Sequence, residues 1–443
     1  MTDLAEAAET GHRSPAPSEP ITAERYISSE YMEAEWQRMW PRVWLFAGMA
    51  SDVAEPGEYL VLNMGRESIV VTCDDEKKVN AFYNVCQHRG ARVVVNDRGW
   101  VKNLVCPYHG WTYAHTGELT VVPDQDRFAN GVSCAERSLK PVRTTVWAGM
   151  VWVCMDDDAP SLQEYLGPLV DLIEPYRPGD MTLVQDQTVR LNCNYKAVFD
   201  NFGELYHVEH IHPQHATIFD CPTAQNGLYR NGHTGVFIDG FTVNSRLPIP
   251  DEPPRHMAAQ MRQLGMDPAD YNGRVLDVRA DVQQKRREVG AELGYDYDLL
   301  SDDQLSDIVQ FNVFPNTMVT IQPDNLMIMR ARPDPVDPNW CWWDKLTFLM
   351  MPDEGTATRA GSLSFTPRPD PRPDPTMRAE HDEFDQEDII AGRKTMTITI
   401  DQDVHLIRDV QAGMHSRGFD TALLNEDEAR VQHYHDWLNH YMG

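Results

Sequence analysis

No apolar run of transmembrane length occurs in the 443 residues, so a helical membrane span is not expected. No secretory signal pattern opens the chain, and eight cysteines are too few to staple a chain of this length. Those two absences predict a reducing cytoplasm as the compartment. Basic residues are scarce: 39 Lys and Arg stand against 68 Asp and Glu, for a net charge of −29. Nucleic acid and anionic membrane surfaces are therefore not expected as partners. The plain reading of the excess is a solvated acidic face. No Gly-x-Gly-x-x-Gly opens a helix, so the chain has no nicotinamide or flavin fingerprint. What remains is a chain long enough to bury a large core and to form two domains.

Residues 86 to 109 carry the strongest pattern. Cys86-Gln-His88 is followed, after seventeen residues, by Cys106-Pro-Tyr-His109. Each pair offers one thiolate and one imidazole. A structural zinc site accepts such a set, but its usual order is Cys-x2-Cys followed by His-x3–5-His. The mixed order suits a [2Fe–2S] cluster in which histidines replace two cysteines. Cys86 and Cys106 would then serve one iron, and His88 and His109 the other.

The flanks, Cys86-Gln-His88-Arg89-Gly90 and Cys106-Pro-Tyr-His109-Gly110-Trp111-Thr112-Tyr113, resemble the two cluster loops of Rieske proteins. They are most similar to those of the Rieske non-haem iron oxygenases, in the catalytic (alpha) subunit of aromatic-ring-hydroxylating enzymes. Gly90 and Gly110 fall where a loop must turn back, and glycine permits positive φ there. Trp111 and Tyr113 can exclude water below the cluster, and Tyr108 can cover its flank. Arg89, Arg92, Arg98 and Lys102 form a basic group beside the ligands. They either steer an acidic electron donor or pair with neighbouring carboxylates.

Around these loops, residues 21 to 40 read as a helix ended by Pro41, behind a loose tail over residues 1 to 20. Short strands are expected at Trp44–Phe46, Glu58–Leu62, Ser68–Thr72, Val79–Tyr83 and within Val142–Met155, with Trp147 and Trp152 in the core. Ser161 caps a helix with Glu164 in its third position. Asp186–Cys193 reads as a strand and Asn194–Phe202 as a short helix. The expected division is a tail and helix over 1–40, an all-β cluster domain over 41–158 and a catalytic domain over 159–443.

A second constellation follows: Asn201-Phe-Gly-Glu204-Leu-Tyr-His207-Val-Glu-His210-Ile-His212-Pro213. Two imidazoles and a carboxylate form the facial triad of non-haem Fe(II). On its own, the crowd also fits a His-rich surface or a zinc site. Beside the Rieske-like loops it resembles that family's Asp/Glu-x2-His-x4-His motif. The resemblance implies His207 and His212 as ligands of a mononuclear Fe(II). It implies for Glu204 a bridging role to a cluster histidine, His109, of a neighbouring subunit. The plain alternative for Glu204 is a solvated helix residue. Glu at this position, after an acidic-Asn-Phe run, is similar to the branch acting on quaternary amines. A spacing of five requires a helix to open near Val208 to Ile211, and His210 and His215 are expected outside the ligand set.

Further on, residues 251 to 310 are polar and helical in pattern, an insertion expected over the active site. Thr317–Gln322 and Leu326–Arg330 form a hairpin, and Trp340–Met351 another strand. Met318, Ile321, Met327 and Met329 are candidates for a pocket floor, or plain core. Thr366–Pro375 reads as an extended proline loop and Met377–Ile390 as a helix. Asp401-Gln-Asp403-Val-His-Leu-Ile-Arg-Asp-Val-Gln411-Ala-Gly413 looks like the family segment that supplies the third iron ligand. That likeness points to Asp403, with Asp401 as the competitor.

The resemblance covers roughly residues 35 to 440. It implies an α+β protein: an N-terminal all-β Rieske domain and an antiparallel sheet wrapped over a long helix (helix-grip, START-like). It implies a small organic substrate and O2, an NAD(P)H-dependent reductase with or without a ferredoxin, and a homotrimer or an alpha3beta3 assembly with a small beta subunit. Dioxygenation, monohydroxylation and dealkylation share the same iron and stay open. A pure electron carrier is opposed by length and by the second constellation. A protein with a dead iron site is opposed by Glu204, His207, His212 and Asp403 standing together.

Overall fold

The computed structural model describes residues 18–290, 295, 297–351 and 378–443. The expected tail before residue 18 and the proline stretch Thr366–Pro375 lie outside the described residues. Contact density divides the chain into two compact units, Trp36–Tyr165 and the remainder.

The first unit is all-β. Its strands are β1 (Leu45–Met49), β2 (Glu58–Met64), β3 (Glu67–Cys73), β4 (Val79–Tyr83), β5 (Arg98–Trp100), β6 (Leu104–Val105), β7 (Thr112–Tyr113), β8 (Leu119–Val121), β9 (Pro141–Trp147) and β10 (Met150–Cys154). Seven make a sheet in the order β1-β10-β9-β4-β3-β2-β5, and β6-β7-β8 form a small second one. β9 and β10 meet through a two-residue turn in which Ala148 and Gly149 both have positive φ. Such turns match the twist of a hairpin. Trp147 and Trp152 are core residues, as expected. Val70, Phe82, Leu104, Trp111, Tyr113 and Leu119 pack together with Cys86 and Cys106.

The second unit is built on an eight-stranded sheet, β12-β13-β14-β15-β16-β17-β11-β18. Its members are β11 (Thr182–Leu191), β12 (Gln225–Leu228), β13 (Thr234–Ile238), β14 (Ile308–Val313), β15 (Thr317–Gln322), β16 (Asn325–Pro333), β17 (Cys341–Leu349) and β18 (His381–Asp385). All pairings are antiparallel except β11 with β18. Helix Tyr195–Asn201 packs on β16 and β17, and helix Ala429–Met442 on β12 and β13. The seventeen-residue helix Ile398–Met414 is capped by Thr397, whose hydroxyl accepts from Ile400 N. Asn194 caps the Tyr195–Asn201 helix by accepting from Lys196 N, and its own N–H donates to Gln411 Oε1.

Four expectations change. The helix over 21–40 is two helices, Glu24–Ile27 and Ser29–Arg38, because Ser28 is extended and its hydroxyl caps the second by accepting from Tyr31 N. Residues 381–385 are a strand, since pairing with β11 outweighs local helix preference; only Gln386–Ile390 is helical. The strand expected at Asp186–Cys193 starts earlier, at Thr182, and ends at Leu191. Val208–Ile211 is itself one helical turn, so the backbone departs from helix upstream of it, between Asn201 and His207. The spacing of five is met because His207 and His212 flank that turn, and His212 leaves it at φ −118°, ψ 57°.

Candidate iron centres

The two cluster loops are copies of one another. Gly90 N donates to Cys86 O and Gly110 N to Cys106 O, both at 3.0 Å. Cys86 N donates to Ala91 O and Cys106 N to Trp111 O, both at 2.8 Å. Gly90 and Gly110 hold φ of 79° and 69°. A Cβ on Gly90 would touch nothing within 4 Å, so backbone conformation rather than space asks for glycine there.

These loops bring like donors together. Burial pushes the Cys86 thiol up, and Cys106 beside it adds to the push. The His88 and His109 rings lie 4.6 Å apart between centroids. His88 stacks on Trp111 at 4.9 Å and 6°, and its Nδ1 is buried without a partner. Zinc would draw all four donors to one point at about 2.0–2.3 Å each. A sulfur pair beside an imidazole pair instead fits two irons. The Tyr113 hydroxyl lies 3.3 Å from Cys86 Sγ and accepts from Gln87 N at 3.0 Å. It does more than exclude water, since hydrogen bonds to cluster sulfurs tune the potential. Arg89 lies over Tyr108 at 5.3 Å; Arg89, Arg92 and Lys102 are exposed and form no ion pair among the described residues.

In the second unit His207, His212 and Asp403 come together. Their donor atoms all lie within 4.8 Å of one another. Asp403 Oδ1 is 3.0 Å from His212 Nε2 and 3.7 Å from His207 Nε2. Even so, that buried oxygen makes no hydrogen bond. The reason lies on the far side of each ring. His207 Nδ1 is held by the Glu204 carboxylate, and His212 Nδ1 by Gln402 Oε1 at 2.8 Å. An imidazole that donates from Nδ1 presents a lone pair at Nε2, and both Nε2 atoms here face the carboxylate. Three lone pairs facing one point, in a place where Asp403 is only 4 % exposed, is a donor set that a cation satisfies.

Asp401 is used differently. Its carboxylate accepts from Met396 N at 2.9 Å and from the Thr395 hydroxyl, tying the loop before the helix. His210 is exposed, whereas His215 is buried, lies against Thr399 Oγ1 at 3.0 Å and lines the cavity. Burial, with the nearby histidines, pushes His215 down to about 4, so it stays neutral.

The triad opens on a cavity of about 180 Å³. Leu205, Val208, Phe219 and Ile400 line it, but of the four expected floor residues only Met327 does. Of the segment expected over the site, residues 251 to 310, Ile308 and Gln310 line the cavity, and both belong to β14; Met257, Met261, Val278 and Val282 pack behind Phe219 and Ile238 and so buttress the wall. Sequence reading missed Gln402 and the polar wall residues Gln310, Thr320, Gln322, Asn325 and Thr347. Their signal was present: Thr320 and Gln322 alternate with Val319 and Ile321 along a buried strand.

A β domain with paired Cys/His loops, and a helix-backed sheet with a two-histidine, one-carboxylate site, define the Rieske non-haem iron oxygenase class. The chain belongs to the ring hydroxylating alpha subunit family, whose catalytic domain matches residues 178–443; the Rieske [2Fe-2S] domain matches residues 43–142. These domains carry a [2Fe–2S] cluster and a mononuclear iron. The glycine betaine monooxygenase oxygenase subunit of Pseudomonas aeruginosa is 32% identical over 189 residues, 43% of this chain and 44% of that protein. The large oxygenase component of the naphthalene 1,2-dioxygenase system of Pseudomonas putida is 34% identical over 189 residues, 41% of this chain and 42% of that one. The match thus spans less than half of these relatives. The crystal structure of a quaternary ammonium Rieske monooxygenase in complex with L-carnitine shares the fold, with a TM-score of 0.66 at 18% identity, over 96% of both chains. Among the described residues no helix is long and apolar enough to cross a membrane.

Proposed function

We propose that the chain is the oxygenase component of a multicomponent Rieske non-haem iron oxygenase. It hydroxylates an aromatic or other largely apolar organic substrate with O2. Electrons come from NAD(P)H through a separate reductase, with or without a ferredoxin. The observation that carries this reading is the convergence of His207 Nε2, His212 Nε2 and Asp403 Oδ1 at the wall of a cavity. In this reading Cys86 and Cys106 hold one cluster iron, His88 and His109 the other, and the three convergent residues hold the mononuclear iron. When bound, the cluster supplies electrons singly and the iron activates O2.

The residues of the chain prepare that chemistry. Asp403 supplies the negative charge that two neutral imidazoles lack. Glu204 and Gln402 fix the ring tautomers, so that Nε2 and not Nδ1 faces the cavity. Leu205, Val208, Phe219 and Ile400 exclude water from around the reacting carbon. Glu204 also serves transfer between subunits in a ring, a homotrimer or an alpha3beta3 assembly, where its second face meets His109 of the next copy. The exposed Arg89, Arg92 and Lys102 support docking of an acidic electron donor.

A second reading, N- or O-dealkylation or oxidation of a quaternary amine, is favoured by the glycine betaine relative and by Glu204 following Asp200-Asn201-Phe202. The test is a screen of arenes, N-methyl and O-methyl compounds and quaternary amines. Coupled NADH and O2 consumption is followed with a reductase present, then 18O-labelled O2 is traced into product. Labelled product is expected from at least one class. Peroxide alone from every class would contradict the proposal.

A further inference from the structure

The cavity has two unlike walls. Near the triad it is apolar, but its sheet wall is built from cross-strand rows. Gln310, Thr320, Met327 and Thr347 are successive register partners across β14, β15, β16 and β17. In the neighbouring row Ile238 partners Ile308, and Gln322 partners Asn325. Strand alternation turns both rows to one face, and all eight residues line the cavity. Five of the eight are polar, and none is charged.

Their hydrogen bonds are only partly used. Gln310 spends both amide hydrogens, on Phe202 O at 2.6 Å and Asn312 Oδ1 at 3.0 Å, which leaves its carbonyl oxygen open. Asn325 Nδ2 donates to Gln322 Oε1 at 2.8 Å, which leaves the Gln322 amide hydrogens and the Asn325 carbonyl oxygen open. Thr320 Oγ1 is buried without a partner. A bare arene bound here would leave these groups unmet, at a cost of about tenfold in affinity for each. A quaternary cation fares no better. Glu204 is engaged by His207, Asp403 belongs to the triad, and Phe202 and Phe219 are the aromatic rings in the lining. No Trp or Tyr cage faces the cavity among the described residues.

We propose that this sheet wall selects a neutral substrate with an apolar body and one amide-like group. The Gln322 amide and the Thr320 hydroxyl donate to its carbonyl oxygen, and the Asn325 or Gln310 carbonyl accepts from its N–H. The body is then turned toward His207, His212 and Asp403. This rests on the oxygenase reading above and narrows its substrate class.

Equilibrium dialysis of the full-length, metal-loaded protein tests the wall without turnover. The probes are indane, indolin-2-one and N,N,N-trimethylanilinium, of similar bulk. Indolin-2-one is expected to bind at least about tenfold more tightly than either of the others. In Thr320→Val, which keeps side-chain shape, and in Gln322→Leu/Asn325→Leu, that preference should fall to about twofold or less, with indane binding tighter than before. If the double variant does not fold by circular dichroism, Thr320→Val decides alone. Equal binding of indane or of the cation in the wild type, or a preference that survives in the folded variants, overturns the proposal. Product analysis with the same probes separates the two claims. A lactam preference without oxygenated product overturns the oxygenase reading and leaves the wall. Products without a preference overturn the wall and leave the oxygenase reading.

Discussion

Cys86, His88, Cys106 and His109 sit in two loops of one backbone pattern inside a single short stretch. His207, His212 and Asp403 are gathered from opposite ends of the catalytic domain's sequence. The first site is local, and each loop closes on its own backbone through the Gly-to-Cys hydrogen bond. The second exists only if helix Ile398–Met414 is held in register against the sheet. Several buried groups do that holding. Lys345 Nζ donates to Met396 O and to Gln185 Oε1, both at 2.6 Å, and Gln187 Nε2 donates to Thr395 O at 3.0 Å. Gln386 Nε2 donates to Val404 O at 2.8 Å. A local site should survive damage elsewhere, whereas a gathered site should fail whenever its props fail.

The largest expected effect lies between the two centres. Glu204→Gln keeps the size but loses the charge and one acceptor oxygen. Both metal sites should still fill and the cluster should still reduce, while turnover falls by orders of magnitude. Rapid mixing of reduced protein with substrate and O2 should show slow cluster reoxidation. A wild-type reoxidation rate would reduce Glu204 to a prop for the His207 ring.

Smaller and confined to the local site is His109→Cys. Thiolate donates more charge than imidazole, so the cluster potential should drop by on the order of 100 mV or more, with altered EPR g-values. The mononuclear iron content should not change. An unchanged potential in the folded variant would break the assignment of His109.

The smallest effect concerns a prop. Burial pushes Lys345 down to about 8, against the opposing pull of the Asp401 charge. The unfolded chain holds that proton up to about 10.5, so between the two values the unfolded state binds more protons. Stability therefore rises with pH across that window, by about 3 kcal/mol at most, and is flat with respect to this group below it. Lys345→Met should lower stability at neutral pH and abolish the rise between pH 8 and 10.5, as read by thermal unfolding. If the variant keeps the same rise, the lysine is not the group responsible.

The contrast also explains what could be read from the chain beforehand. The cluster loops were legible because donor spacing and turn glycines are local quantities. His207 and His212 were legible as residues but not in their geometry: a helix was expected to open at Val208–Ile211, where one closed turn instead separates the two rings. Asp403 against Asp401 could not be decided by composition. It depends on Met396 N and the Thr395 hydroxyl capturing Asp401, a contact made by the fold. The sheet wall was not legible from apolar residues, since Met318, Ile321 and Met329 belong to the core, while the polar alternation of Thr320 and Gln322 marks the lining face. Residues 381–385 lack a local strand signal; their partner, β11, is distant in sequence.

Iron content per chain, measured for wild type, Asp403→Ala and Asp401→Ala beside the visible spectrum of the cluster, tests the gathered site most directly. About three iron atoms are expected in the wild type and in Asp401→Ala, and about two in Asp403→Ala with the cluster spectrum intact and no product formed. Full iron and product in Asp403→Ala, or their loss in Asp401→Ala instead, would contradict the account.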